Sequence, residues 1–243
     1  MAYSVKNDTH LATQEYLQKI IELKDKELAE QSKVLRLLGG SDCQNNSIAS
    51  ILKLPHTDPI LVPCDSTIAG PGWIMIQRRV DGTENFNRNW KEYKKGFGNP
   101  LHEYFIGLDY IYLITQSQPH ELYIHMEDFN NETRYARYSN FLIGSEEESY
   151  VLEKLGNYSG NAGDALKYHL NMKFSTKDQD NDTSKGDCAK DYESGWWFYN
   201  CYRCNLNGRY ALDVEQNDES ISWDEWHLKP LKFTQMMIRA KSY

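Results

Sequence analysis

The chain has 243 residues, with 27 Lys and Arg against 35 Asp and Glu, a net charge of −8. That length accommodates one sizeable domain with an appendage, or two small ones, and the acidic balance without a clustered basic run excludes the phosphate-gripping surface of a nucleic-acid binder. No apolar stretch approaches the roughly 20 residues a helix needs to cross a bilayer, so no membrane insertion is expected.

Residues 11–38 contain only helix-compatible residues, without Gly or Pro, and Gly39 and Gly40 end the run. Positions 17, 21, 24, 28, 31, 35 and 38 follow a four-three spacing and hold Leu, Ile, Lys, Leu, Gln, Leu and Leu. That seam predicts a short coiled coil joining copies of the chain, with Lys24 and Gln31 as polar interruptions able to fix register. A single amphipathic helix lying on the domain would give the same pattern. Residues 1–40 are therefore read as a helical oligomerisation segment and 41–243 as the globular domain. The opening residues, MAYSVKNDTH, contain no apolar signal region, so a secreted chain would need its signal upstream of this start.

Within the domain, residues 41–67 form a mixed region with three prolines and the pair Cys43 and Cys64. Residues 73–80 alternate as a strand and end on Asp81 and Gly82, a hairpin-type turn signal. Trp90, Tyr93 and Phe97 stand at helical spacing with Gly96 near the end, and Leu108, Ile111, Tyr112 and Thr115 mark a second short helix. Aromatic stripes of this kind normally face a core. Residues 121–129, 134–143 and 150–155 read as strands, and 231–240 as a last strand returning to the central sheet. Strands and helices without a regular alternating repeat predict an α+β fold.

Signals for an enzyme are weak. His120, Glu121 and His125 make HExxxH, one residue longer than the zinc-protease spacing, on a segment that reads as a strand. Cys201 and Cys204 make a CxxC, but no second CxxC supplies the other half of a zinc site. No GxSxG or phosphate-loop motif is present. The five cysteines are spaced to suit two local bridges, Cys43 with Cys64 and Cys188 with Cys201, leaving Cys204 over. Such bridges imply an oxidising compartment. Five Asn-X-Ser/Thr sequons, at Asn7, Asn45, Asn131, Asn157 and Asn181, are compatible with secretion.

Residues 174–210 concentrate acids, glycines, aromatics and three cysteines. Asp178, Asp180 and Asp182 alternate with polar residues ahead of a TSKG run, so oxygen ligands that suit calcium can converge there. An EF-hand is excluded, because its glycine and glutamate positions hold Thr183 and Ala189. The same run also suits a solvated acidic turn.

FSTKDQDND, GDCA and GWWFYNCYRCNLNGRY, preceded in order by GWIMIQRRVDG, NFNRNWKEYKKGFGN, FIGLDYIYLIT and YSGNAGDAL, resemble the fibrinogen C-terminal domain family over about residues 41–240. The resemblance implies a small bridged N-terminal region, a central antiparallel sheet with short helices, and a loop-rich C-terminal region carrying calcium and ligand sites. It places the calcium ligands on the carboxylates of Asp180 and Asp182 and the carbonyls of Ser184 and Gly186, with Asp178 in support. It places a ligand pocket at Tyr192, Asn200, Cys201 and Tyr202, around an Asn200–Cys201 peptide bond that is cis in several members. Lectin-like members hold N-acetyl groups there. This chain departs from them at Tyr202, where His is common, and over the acidic residues 211–222. The expectation is a secreted, non-enzymatic, calcium-binding recognition protein that binds acetylated or acidic glycans as a homo-oligomer. The alternative is a secreted ligand or matrix protein that binds a cell-surface protein receptor, with calcium purely structural. An Asn181 glycan would crowd the loop, so that sequon is expected to stay unused.

Overall fold

The computed structural model describes residues 49–54, 58–211 and 219–241, together with Lys19, Lys24 and Cys43. The coiled coil expected over 11–38 lies outside these residues, apart from Lys19 and Lys24, both helical. In chain order the domain forms β1 (Ala49–Leu52), β2 (Ile60–Asp65), β3 (Trp73–Arg79), helix α1 (Trp90–Lys95), β4 (Phe97–Gly98), β5 (Tyr104–Phe105) and helix α2 (Leu108–Ser117). Then follow β6 (His120–Asp128), β7 (Thr133–Ile143), β8 (Leu152–Lys154), β9 (Tyr158–Gly160), a 3-10 turn (Ala165–His169), helix α3 (Cys188–Asp191), β10 (Cys204–Asn205), β11 (Ser222–Trp223) and β12 (Leu231–Ala240).

The main sheet runs β1-β2-β3-β12-β6-β7-β8, with β4 and β5 off β3 and β9 on β7. All of its pairings are antiparallel, which makes the fold α+β with a central antiparallel sheet. The C-terminal strand β12 lies between β3 and β6, pairing Met237 with Met75 on one side and Met236 with Ile124 on the other. The last segment of the chain therefore joins the two halves of the sheet, as its alternation anticipates. The Cys43–Cys64 bridge ties the N-terminal region to β2.

Differences from the sequence reading have local causes. Helix α1 is shorter than 87–97 because Asn89 caps it, its side chain accepting from the Glu92 N–H while the Glu92 carboxylate accepts from the Asn89 N–H. Gly96 ends it at φ 86, where a Cβ would come within 2.3 Å of the Ile106 carbonyl oxygen. Phe97 then enters β4, while Trp90 and Tyr93 face the core as expected. The strand read at 150–155 contracts to Leu152–Lys154, since Ser149 and Tyr150 occupy left-handed turn positions at φ 56 and 46. Asp81 and Gly82 do form a turn, with the Asp81 carboxylate accepting from the Thr83 N–H at 3.1 Å. It leads to α1 rather than back along β3, so no hairpin forms.

At the end of β3 the guanidinium of Arg79 is buried against Glu103, with Nε and Oε1 3.4 Å apart. The Arg79 cation also lies 3.8 Å from the Phe86 ring centroid and donates to the Gly208 carbonyl. Glu103 in turn accepts from the N–H groups of Val80 and Glu84 at 2.8 and 2.9 Å. One buried ion pair thus holds the loop after β3 against the NLNGRY segment. Burial lowers the Arg79 pKa and the Glu103 charge opposes that shift. Glu103→Ala strands the cation, and the expected loss of stability is about 3–5 kcal/mol by urea denaturation.

Candidate functional site

The site rests on a buried aromatic floor. Phe174 packs near Tyr93 and Trp197 at centroid distances of 5.1 and 5.2 Å, and Trp196 adjoins Trp197 at 5.2 Å. The Tyr93 hydroxyl donates to the Phe86 carbonyl at 2.7 Å and accepts from the Gly195 N–H at 3.1 Å. Gly195 approaches so closely that a Cβ there would stand 2.5 Å from the Tyr93 ring. Only a glycine permits that approach.

On this floor the acidic loop divides its labour. Asp178 accepts from the Trp90 N–H at 2.8 Å and the Thr176 hydroxyl at 2.7 Å, so it serves the first turn of α1. The carboxylates of Asp180, Asp182 and Asp187 instead converge, with one oxygen from each lying within 4.8 Å of the others. Asp182 accepts from the N–H groups of Ser184 and Cys188 at 2.7 and 2.8 Å. Burial raises the Asp182 pKa and the neighbouring Asp180 and Asp187 charges add to the rise, against the pull of those two donors. Asp187 also caps α3, accepting from the Lys190 N–H at 3.1 Å. The Ser184 hydroxyl accepts from the Gly186 N–H at 3.2 Å, keeping the loop tight between the acids.

The adjoining turn is tied to the acidic loop in two ways. The Cys188–Cys201 disulfide closes one side. On the other, the Thr183 N–H and hydroxyl both donate to the Tyr199 carbonyl, at 3.1 and 3.0 Å. Between them the Asn200–Cys201 peptide bond is cis. The rings of Tyr192 and Tyr202 meet at 4.8 Å and 90°, edge to face, so two of the expected pocket residues pack on each other. Asn200 is exposed, and its carbonyl accepts from the Tyr168 hydroxyl at 3.0 Å.

Beneath this turn lies His169, fully buried. Its Nδ1 is 2.7 Å from the Trp197 carbonyl, and Nε2 faces the N–H groups of Arg203 and Cys204 at 3.2 and 3.3 Å. The arrangement suits a neutral ring whose Nδ1–H donates and whose Nε2 accepts twice. Burial pushes its pKa down to about 4.

The chain matches the fibrinogen beta and gamma chains, C-terminal globular domain family over residues 39–241. It belongs to the fibrinogen C-terminal domain family. Fibrinogen-like protein 1 of Bos taurus is 43% identical over 200 residues, covering 75% of this chain and 64% of that protein. The chain spans about half the length of other curated relatives it matches. The fibrinogen-like globe domain of human ANGPTL2 superposes with a TM-score of 0.79 at 36% identity, over 84% of this chain and all of that domain. Lamprey fibrin D-dimer, in complex with the peptide ligand Gly-His-Arg-Pro-amide, gives a TM-score of 0.77 at 29% identity, over 99% of this chain and 91% of that one.

Fibrinogen C-terminal domains are recognition and ligand domains, and this one is not an enzyme. The HExxxH residues belong to the sheet. His120 and His125 sit at opposite parity on β6, and the Glu121 carboxylate is taken by Arg137 at 2.7 Å and Arg239 at 2.9 Å. Both expected disulfides are present, and Cys204 is a buried free thiol whose pKa is raised by burial.

Asp187, His169, Tyr168 and Tyr199 lie outside the site residues expected from the sequence. Asp187 carried a signal, since an Asp directly before a short helical run is an N-cap. His169 carried none, because the three backbone groups it holds are 28 to 35 positions away. In the unfolded chain His169 takes up a proton as pH falls through its ordinary 6.5, whereas in the fold it does so only near 4. Its contribution is complete above pH 6.5 and is lost as pH falls from 6.5 towards 4, a change of about 3 kcal/mol. Burial also lowers the pKa of His120 and His125, which add slope in the same direction. Urea denaturation across that range should therefore show a steeper loss for the native chain than for His169→Gln, and the difference isolates this imidazole.

Proposed function

We propose that this fibrinogen C-terminal domain is secreted and recognises a protein partner through the exposed turn beside its acidic loop, with a calcium ion stiffening that loop. One observation carries the reading: an aromatic and arginine patch crowns the disulfide-tied turn. Tyr199 is 40% exposed and meets Tyr168 at a centroid distance of 5.1 Å, while the Arg203 cation stands 5.8 Å from the Tyr168 ring. Tyr and Arg are the residues that dominate the centres of protein interfaces, because they bring large contact area with few rotatable bonds or a planar fork of donors. The two disulfides support an oxidising, extracellular location.

The acidic group fits a hard cation. Its donors are all oxygens, and the Lys190 ammonium, 2.7 Å from one Asp187 oxygen, offsets only part of the mutual repulsion of three clustered carboxylates. Asp180, Asp182 and Asp187 would hold the ion, joined by the carbonyls of Ser184 and Gly186. Bound there, the ion would neutralise the loop, and through Thr183 and the disulfide that rigidity reaches Tyr199 and Cys201.

A glycan-binding reading, with an acetyl-group pocket at Tyr192, Asn200, Cys201 and Tyr202, is favoured by the position of Tyr192 beside the acidic loop. Binding of the labelled protein to cultured cells separates the two. On the protein-partner reading, protease treatment of the cells removes binding, N-acetylated sugars do not compete, and Tyr199→Ala or Arg203→Ala weakens binding about 30-fold or more. Competition by N-acetylglucosamine with unchanged binding of both variants would establish the lectin instead. Calcium titration should show Asp180→Asn and Asp187→Asn each weakening binding of the ion by at least roughly tenfold.

We further infer that residues 11–38 join several chains, raising the avidity of individually weak sites. The four-three apolar seam supports this. Removing residues 1–40 should reduce the mass by light scattering to that of a monomer.

A further inference from the structure

Three of the sequons fall among the described residues, and the fold treats them differently. Asn131 lies at the tip of the β6–β7 connection, exposed, at φ 63, a left-handed position that Asn tolerates. Its Oδ1 accepts from Lys232 Nζ at 2.7 Å, while among the described residues its amide nitrogen has no protein acceptor. Asn157 is also exposed, between β8 and β9. Its backbone is pinned to Ser139, donating to the hydroxyl at 2.8 Å and accepting from the N–H at 3.0 Å. Its side-chain amide makes no hydrogen bond among the described residues. Thr133 and Ser159, the hydroxyl residues of these two sequons, are exposed as well.

Asn181 is the opposite case. It is half-buried inside the acidic loop, and its Nδ2 donates to the carbonyl of the buried Phe174 at 2.7 Å. Its backbone N–H donates to the Ser175 hydroxyl at 3.0 Å, and Thr183 of the same sequon spends its hydroxyl on the Tyr199 carbonyl. A sugar on that nitrogen would have to leave from an amide that braces the loop against the aromatic floor.

We propose that Asn131 and Asn157 carry N-linked glycans and that Asn181 is bare in the folded protein. The proposal rests on the secreted location put forward above. In the modification, the side-chain amide nitrogen attacks C1 of the reducing sugar of a polyprenyl-diphosphate-linked oligosaccharide. An N–C1 bond forms and the C1–O bond to the diphosphate breaks. Polyprenyl diphosphate departs with the electron pair, and the amide nitrogen gives up one proton. The transfer occurs on an extended chain, so the fold selects which products survive. Glycans at Asn131 and Asn157 sit on turn backbone that needs nothing further from the amide nitrogen. A glycan at Asn181 opens the loop carrying Asp180 and Asp182.

The test is peptide mapping of the protein isolated from its natural source, after enzymatic glycan release in heavy-oxygen water, which converts each occupied Asn to labelled Asp. The expected result is labelled Asp at positions 131 and 157, unconverted Asn at 181, and the Cys188–Cys201 bridge intact. In protein secreted from cultured cells, Asn131→Gln and Asn157→Gln should each remove one glycan from the intact mass. Unconverted Asn131 and Asn157 in a chain with the bridge formed would overturn the glycan assignment while leaving secretion standing. Labelled Asp at 181 in folded protein would overturn the exclusion of that site. Free Cys188 and Cys201 with no glycan at any position would overturn the secreted location and this assignment together.

Discussion

A neutral imidazole in the interior governs the exposed end of this domain. His169 is fully buried, yet its two nitrogens hold backbone groups on both sides of the turn at 199–202. An imidazole can donate at one nitrogen and accept at the other, and here it does so where no water competes. A charged ring would turn a donor towards two other donors, so the same contact that fixes the turn also demands neutrality. The aromatic floor supplies the burial that keeps the ring neutral, with Trp196 6.2 Å from it between centroids.

Around that anchor the surface elements are coupled. Thr183 ties the acidic loop to Tyr199, the disulfide ties α3 to Cys201, and Asp182 accepts from the N–H of Cys188. A change at the three carboxylates therefore has short covalent and hydrogen-bonded routes to the tyrosine patch. This economy explains why a small loop region, poor in regular secondary structure, can present a defined surface. Its rigidity comes from side-chain and backbone ties and from close packing on the floor, such as Gly195 on Tyr93.

Much of the scaffold was legible because its signals are local. Alternation places β3, β6, β7, β8 and β12 to within a few residues, whereas β1, β2, β4, β5, β9, β10 and β11 are not marked by it, and the helical spacing of Trp90 and Tyr93 identifies their buried face. Boundaries went astray where a cap or a backbone conformation decided them, as with Asn89 at the start of α1 and Ser149 and Tyr150 before β8. The acidic loop announced itself through the DQDND run, but its spacing treated Asp178, Asp180 and Asp182 alike. The fold gives Asp178 to the first turn of α1, from a distance of 88 positions, and recruits Asp187 in its place. No pattern within the run distinguishes those roles.

By itself, then, the sequence determined the α+β character, the order of β3, β6, β7, β8 and β12 along the chain, the cysteine spacings and the concentration of acids and aromatics after residue 174. These depend on periodicity and composition, which act over a few neighbouring positions. Tertiary structure alone decided which acids converge, that Tyr192 and Tyr202 close on each other, and that the side-chain nitrogen of Asn181 is braced while those of Asn131 and Asn157 have no acceptor among the described residues. Each of those outcomes depends on groups brought together from separate elements, and a side chain's role there is set by whichever donor or ring the packing places beside it.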